Sequence, residues 1–499
     1  MQDKLILLLV CIPGRIQHLL GAVPINLSRH FAHEHDEAIT TAVADALDLG
    51  PLTKRDKLLM QRKLSNHGLG LRSMEANLEF LFLAGFMKTV KSITSAFPHF
   101  NPTLASTLEG ESGYGLQLTE ALNTLKQTHS QKLLDLLPDS IADVMKEDYN
   151  WPHDAIQREL DNILSEKHDS LYNMDRIGDQ QDKATLLSTD TSIFTLIPRS
   201  ELLRIPNEHL VYLAKQLFGK PQRKNVCKFC PNTSSKGEYC GAPLDSRDLH
   251  IRTCRMNPIH HQKHAAVQHW FEELAKQAHI ATTPAPPISE TNLQNPTKPL
   301  AADLLLIDVS LKEPGRDGQT VAIDFSVVSP AAESYCKQSA KEPLHAAALR
   351  EATKISKYAR AYKEMDNIHF EPFVLESGGA FGERARHVFN RICNLITQSS
   401  GQSGSAIAYF WKSRLLVTLA AITFENALKW AKGHNQSCNP DSVTSDLMDY
   451  FDHDEKEQKR MRNSSGLVRL YNSTDSGDDT DAEEVAAAAA AEVMEEDKD

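Results

Sequence analysis

Leu300-Ala301-Ala302-Asp303-Leu304-Leu305-Leu306-Ile307 and Val321-Ala322-Ile323-Asp324-Phe325-Ser326-Val327-Val328 are the two stretches that decide the fold. Both are short apolar runs of β type, predicting strands over 304–309 and 321–328. The polar segment Glu313 to Gln319 between them holds Pro314-Gly315 and Asp317-Gly318, which predicts a hairpin. Leu344 to Met365 follows with helical spacing, then a strand-like Phe370 to Leu375, then a helical Phe381 to Ile396. Strand, strand, helix, strand, helix is a small α/β domain.

Asp303 opens one strand and Asp324 interrupts the other. Burying a carboxylate in sheet-core surroundings is costly unless it is paired or holds a metal. Two acids on neighbouring strands can hold Mg²⁺, which prefers carboxylate oxygens and water. That is the arrangement metal-assisted phosphodiester hydrolysis needs. Asp308 competes for the first position, and capping or ion pairing is the alternative role for any of these acids. Lys354, Lys357 and Tyr358 lie about one turn apart on the following helix, either within reach of the acids or on a solvated face.

Upstream, Lys263 to His279 reads as an amphipathic helix through Val267, Trp270, Phe271 and Leu274, and Thr282 to Pro299 as a loop. Before that helix comes a cluster: Cys227, Cys230, Cys240, His250 and Cys254. Four of the chain's eight cysteines fall here, which reads as a metal site in a reducing compartment rather than a disulfide scaffold. A structural Zn²⁺ takes four ligands. Cys227, Cys230, His250 and Cys254 are the first choice, with Cys240 as the alternate ligand.

The remaining chain carries less chemistry. Its 499 residues allow two or three cores, and 41% apolar with 24% charged residues is ordinary for a globular protein. Residues 1–95 and 96–219 read as helical, with Ser73 as an N-cap and breaks at Asn66-His67-Gly68, Pro138-Asp139 and Trp151-Pro152. The apolar run Leu5 to Ile12 ends at Pro13-Gly14 and is too short to span a membrane, so it is expected to be a buried helix. The net charge of −12 is dominated by Asp475 to Asp499, whose eleven acids and one lysine give −10. That tail is expected to be disordered. Lys220 to Ala265 has nine Lys/Arg against three acids, an electrostatic footprint for phosphate.

Taken together, these residues resemble the C-terminal part of non-LTR retrotransposon polyproteins that carry a restriction-like, PD-(D/E)xK-type endonuclease. The matching elements are the Cys/His knuckle, Lys263-His264, Leu300-Ala301-Ala302-Asp303, Ile323-Asp324-Phe325-Ser326-Val327-Val328-Ser329-Pro330, and the helix with Lys354, Lys357 and Tyr358. Pro13-Gly14-Arg15-Ile16-Gln17-His18-Leu19-Leu20 and Gly68-Leu69-Gly70-Leu71-Arg72-Ser73 look like the thumb that follows a reverse transcriptase palm.

The resemblance implies an α+β chain: a thumb-like helical remnant (1–95), a helical connector (96–219), a zinc knuckle (220–259), a restriction-like endonuclease domain (260–400), a helical extension (401–460) and the acidic tail (461–499). It implies a nuclear or cytoplasmic endonuclease acting on DNA, with element RNA a further candidate partner, and neither membrane nor small-molecule cofactor. Asp303 and Asp324 would bind catalytic Mg²⁺, with Lys354, Lys357 and Tyr358 completing the site. Lys263, His264, Arg252 and Arg255 would contact DNA. The chain departs from the pattern at Ala265, Ala302 and Ser326, and no Tyr-x-Asp-Asp polymerase motif occurs. The competing expectation is a nuclease fold retained only for zinc-dependent nucleic-acid binding.

Overall fold

The computed structural model describes residues 1–97, 99, 113–127, 130–145, 150–222, 229–230, 232–233, 237–244, 246–254, 256–257, 259–285, 301–307, 320–363 and 368–431. Cys227, Arg255, Asp308, the expected turn at 313–319 and the acidic tail lie outside the described residues. The chain is mixed α+β and divides into two compact units. The first takes 1–180, 190–197 and 205–220; the second takes 181–189, 198–204 and the chain from Pro221 onward. The expected thumb-like and connector segments thus fall together, apart from two short stretches that join the second unit.

The first unit is helical. Thr53 starts the helix Lys54–Gln61 with a reciprocal capping box to Asp56. After that helix the chain folds back, with the amides of Leu69, Gly70 and Leu71 donating to the carbonyls of Leu59, Arg62 and Met60. A Cβ on Gly68 would lie 2.1 Å from the Arg62 carbonyl oxygen, which accounts for glycine there. Ser73 Oγ accepts from the Ala76 amide and donates to Asp36, leading into the helix Leu78–Ala96. Phe80, Phe82 and Phe86 of that helix fill the core with Leu20, Leu118 and Leu122.

At the N-terminus the helix does not stop at Pro13. A π-helical stretch, Leu7–Cys11, lets a fresh α segment start at Ile12 with Pro13 in its first turn, where a missing N–H costs little. The resulting helix Gln2–Ala22, like Gly404–Leu428 in the other unit, is long and apolar enough to cross a membrane by length and composition. Gly404–Leu428 is mostly buried in its own unit, as core helices are. Gln2–Ala22 is only partly buried, leaving Leu7 and Leu19 exposed.

The second unit is built on a four-stranded sheet in the order β1 (Ala281–Pro284), β2 (Leu304–Ile307), β3 (Thr320–Val328), β4 (Ile368–Glu376). The first three strands pair antiparallel, and β4 runs parallel to β3. Helix α1 (Ile259–Gln277) precedes the sheet, α2 (Glu333–Ser339) and α3 (His345–Lys363) cross from β3 to β4, and α4 (Glu383–Ser400) and α5 (Gly404–Ala431) follow. Strand β1 corrects the loop expected from Thr282: its composition is turn-like, but antiparallel pairing with β2 holds it at the edge, where Pro284 is tolerated.

Alternation along β3 sorts its side chains by face. Val321, Ile323 and Phe325 join Trp270, Phe271 and residues of α4 and α5 in the main core. The Trp270 indole is surrounded by Phe373, Phe381, Phe389 and Trp411 at centroid distances of 6.3, 6.3, 5.8 and 6.2 Å. Its Nε1 donates to the Trp411 carbonyl at 2.9 Å. On the opposite face Ala322 packs with Tyr358 and Tyr362 of α3. Two buried carboxylates fix α3: Glu376 accepts from the Ala347 amide at its start, and Glu351 accepts from the Arg384 amide at the start of α4.

Candidate functional site

Antiparallel register sets the geometry of the acids. Leu304, the first residue of β2, pairs with Ile323, which brings Asp303 just before it close to Asp324, and the Asp303 amide donates to the Ile323 carbonyl at 3.0 Å. The Phe325 amide donates to Asp303 Oδ2 at 2.7 Å. Tyr362 fixes the approach to Asp303, accepting from the Ala302 amide at 2.6 Å.

Cations reach the two acids from both faces of the sheet. Lys354 on α3 pairs with Asp324, both side chains being nearly buried. His264 on α1 lies 3.4 Å from Asp303 Oδ1. The acids therefore titrate oppositely. Burial works to raise Asp303, but the His264 contact and the Phe325 amide outweigh it and hold its carboxyl below the usual range. Burial wins at Asp324, whose carboxyl is pushed up despite Lys354. His264 is raised by its bond to Asp303 against the opposing effect of burial. Tyr358 is raised by burial and by Asp324, and its hydroxyl accepts from Lys357 Nζ at 3.3 Å.

Asp303, Asp324, His264, Lys354, Lys357 and Tyr358 therefore converge. Lys263 does not join them. It is buried, its ammonium donates to the Ser377 carbonyl at 3.3 Å, and burial beside Arg252 lowers it to about 7. The expected DNA contact is instead a brace on the turn after β4, because α1 turns residue 263 inward and residue 264 toward the acids. Arg252 is half-buried with its Nε enclosed. Arg350 escaped the sequence reading. It donates from Nε to Ser326 Oγ at 3.1 Å, so at Ser326, where the chain departs from the family pattern, a cation arrives from the helix. Its signal is the series Arg350, Lys354, Lys357 at helical spacing.

The knuckle brings together Cys230, Cys240, His250 and Cys254, whose ligand atoms all lie within 4.8 Å of one another. Cys230 and Cys240 come from two short paired segments, and His250 and Cys254 from the helix Leu249–Thr253 and its C-cap. Sγ separations of 3.7 Å for Cys230–Cys254 and Cys240–Cys254 match the edge of about 3.7 Å that tetrahedral Zn–S bonds of ~2.3 Å require. Cys240, the alternate ligand, is thus one of a complete Cys₃His set able to bind a metal such as zinc, whereas Cys227 lies outside the described residues. Burial and the neighbouring Cys254 push the Cys230 thiol up, so metal binding must displace its proton. The knuckle is anchored by Arg247 on Asp182 at 2.7 Å and by Asn257 on Asn426 at 3.0 Å. No protein-family model matches this sequence, and no curated protein matches it.

Proposed function

We propose that the sheet unit is a metal-dependent nuclease that hydrolyses DNA phosphodiesters, as its resemblance to retrotransposon restriction-like endonucleases implies. The observation that carries this reading is the close pair of acids Asp303, just before β2, and Asp324, within β3, flanked by Lys354 and His264. Mg²⁺ held by the two carboxylates would supply an activated water and neutralise phosphate charge. The chain's own groups do the rest. The Phe325 amide fixes one oxygen of Asp303 and leaves the other directed to His264. Arg350, Lys354 and Lys357 present positive charge along one helix beside the acids, where a phosphate would be drawn and held. Without a polymerase motif, the chain itself has no means to copy DNA.

A second reading, nucleic-acid binding without cleavage, has one observation in its favour: each acid already has a side-chain partner, Lys354 for Asp324 and His264 for Asp303. Nicking of supercoiled plasmid by the full chain, with Mg²⁺ and with EDTA, separates the two. Cleavage that requires Mg²⁺ and is lost in both Asp303→Asn and Asp324→Asn supports the nuclease. Salt-sensitive DNA binding with no cleavage supports the binding module.

A further inference from the structure

The helical unit holds a pocket that neither the carboxylates nor the knuckle use. Its volume is about 180 Å³, and it lies among residues 70–79 and the helices Tyr114–Lys126 and His153–Asp169. Part of its lining is apolar, from Leu125, Ile163 and Leu164. The rest carries charge: Lys63, Arg72 and Lys167 against Glu79 and Asp161.

Both acids are already matched. Glu79 pairs with Arg29 at 2.5 Å. Asp161 pairs with Lys63 at 3.0 Å and also accepts from the Gln157 amide at 3.2 Å. Arg72 and Lys167 are not matched, since among the described residues neither side chain makes a hydrogen bond or an ion pair. Two uncompensated positive charges beside apolar surface fit an anion with a carbon skeleton.

Arg72 is held ready for such a ligand. Just before it, the amides of Gly70 and Leu71 donate to the carbonyls of Arg62 and Met60 at 2.8 and 2.9 Å. Just after it, Ser73 is buried and its hydroxyl donates to Asp36 at 2.6 Å. A backbone fixed on both sides lowers the cost of ordering the site when a ligand enters.

Size and charge narrow the ligand class. The pocket is smaller than the roughly 300–1,000 Å³ that drug-sized ligands occupy, which suits a molecule of metabolite size. An arginine fork with a second cation matches phosphate oxygens. A phosphate monoester carries close to two negative charges at neutral pH, where a diester carries one.

We propose that this pocket binds a small phosphate monoester, with Arg72 and Lys167 on the phosphate and the apolar lining on the carbon skeleton. It stands apart from the nuclease reading, because every residue of the pocket belongs to the helical unit.

The test is isothermal titration calorimetry of the zinc-loaded full chain with phenyl phosphate and with dimethyl phosphate, beside Arg72→Gln, Lys167→Gln and Arg72→Lys. Phenyl phosphate should bind the wild type, and the loss of a charge-assisted hydrogen bond predicts about tenfold or greater weakening in each glutamine variant. Arg72→Lys keeps the charge without the fork and should retain part of the affinity. Melting temperatures without ligand should stay at the wild-type value, because neither side chain has a partner to lose. Phenyl phosphate binding that survives both glutamine variants overturns the proposal, as does a wild type that ignores phenyl phosphate at millimolar concentration. Affinity lost only where the melting temperature also falls overturns it too. Dimethyl phosphate binding as tightly as phenyl phosphate overturns the monoester assignment and points to a phosphodiester backbone instead.

Discussion

Asp303 and Asp324 are close neighbours yet sit in opposite surroundings. Asp303 keeps an accessible charge, tied to a backbone amide and an imidazole, while Asp324 is buried and depends on Lys354 for compensation. Removing one partner of a buried pair is strongly destabilising, because the other is left uncompensated, whereas removing both is often mild. Lys354→Met alone should therefore cost about 3–5 kcal/mol of unfolding free energy, and combining it with Asp324→Asn should recover much of that loss. Urea denaturation of the wild type, both single variants and the double variant measures the coupling. Additive losses would mean that Lys354 serves solvent or phosphate and does not support Asp324.

Much of this site was legible from residues alone. An acid inside an apolar run is conspicuous, and the order of Asp303, Asp324 and Lys354 could be read directly. What could not be read was side-chain direction. Lys263 and His264 are adjacent in sequence, yet one is buried against Ser377 and the other reaches Asp303. A shift of one residue on a helix turns the side chain through about 100°, and only packing decides which residue faces the acids. Arg350 was missed because a cation on a polar helix face looks the same whether it meets Ser326 or water.

At the scale of elements, α1 was evident from its apolar spacing, whereas β1 was not, because Thr and Pro carry no strand signal without β2 beside them. Trp270 shows what the spacing was reporting. It is 0% exposed and enclosed by aromatic rings from β4, α4 and α5, so no neighbouring side chain can close the gap it would leave. Trp270→Ala should cost about 3–5 kcal/mol, read as a lowered urea midpoint with an unchanged slope.

The helix caps add a pH dependence. Burial raises Glu376 to about 7 against the opposing pull of the Ala346 and Ala347 amides. A carboxyl raised on folding stabilises the native state below its unfolded value of ~4.5, and that contribution is lost as pH rises through about 7. Stability should thus fall between roughly pH 4.5 and 7, by at most about 3 kcal/mol from this group. Glu376→Gln keeps an acceptor for the amides and removes the titration. The stability difference between variant and wild type should therefore grow toward alkaline pH, and a constant difference across that range would exclude Glu376 as the source.

At the scale of the whole chain, the sheet unit is not one continuous segment. Residues 181–189 belong to it, and their contacts are specific. Asp182 receives Arg247 of the knuckle at 2.7 Å, Gln181 donates to the Ala331 carbonyl at 3.3 Å, and Thr189 bridges to Gly379. A Cβ on Gly378 would lie 2.4 Å from the Ser188 carbonyl oxygen, so the strip and the turn after β4 fit only with glycine there. A fragment beginning at 221 keeps both carboxylates and the Cys₃His set but loses these contacts. Each lost hydrogen bond costs about 1 kcal/mol, and in a domain of this size each kcal/mol moves the melting temperature by about 2–4 °C. Residues 175–431 should therefore melt about 5–10 °C above residues 221–431 in calorimetry. Gly378→Ala in the full chain should reproduce part of the drop while leaving zinc content unchanged. Equal melting temperatures for the two fragments would show that 181–189 merely lies on a unit that is complete without it.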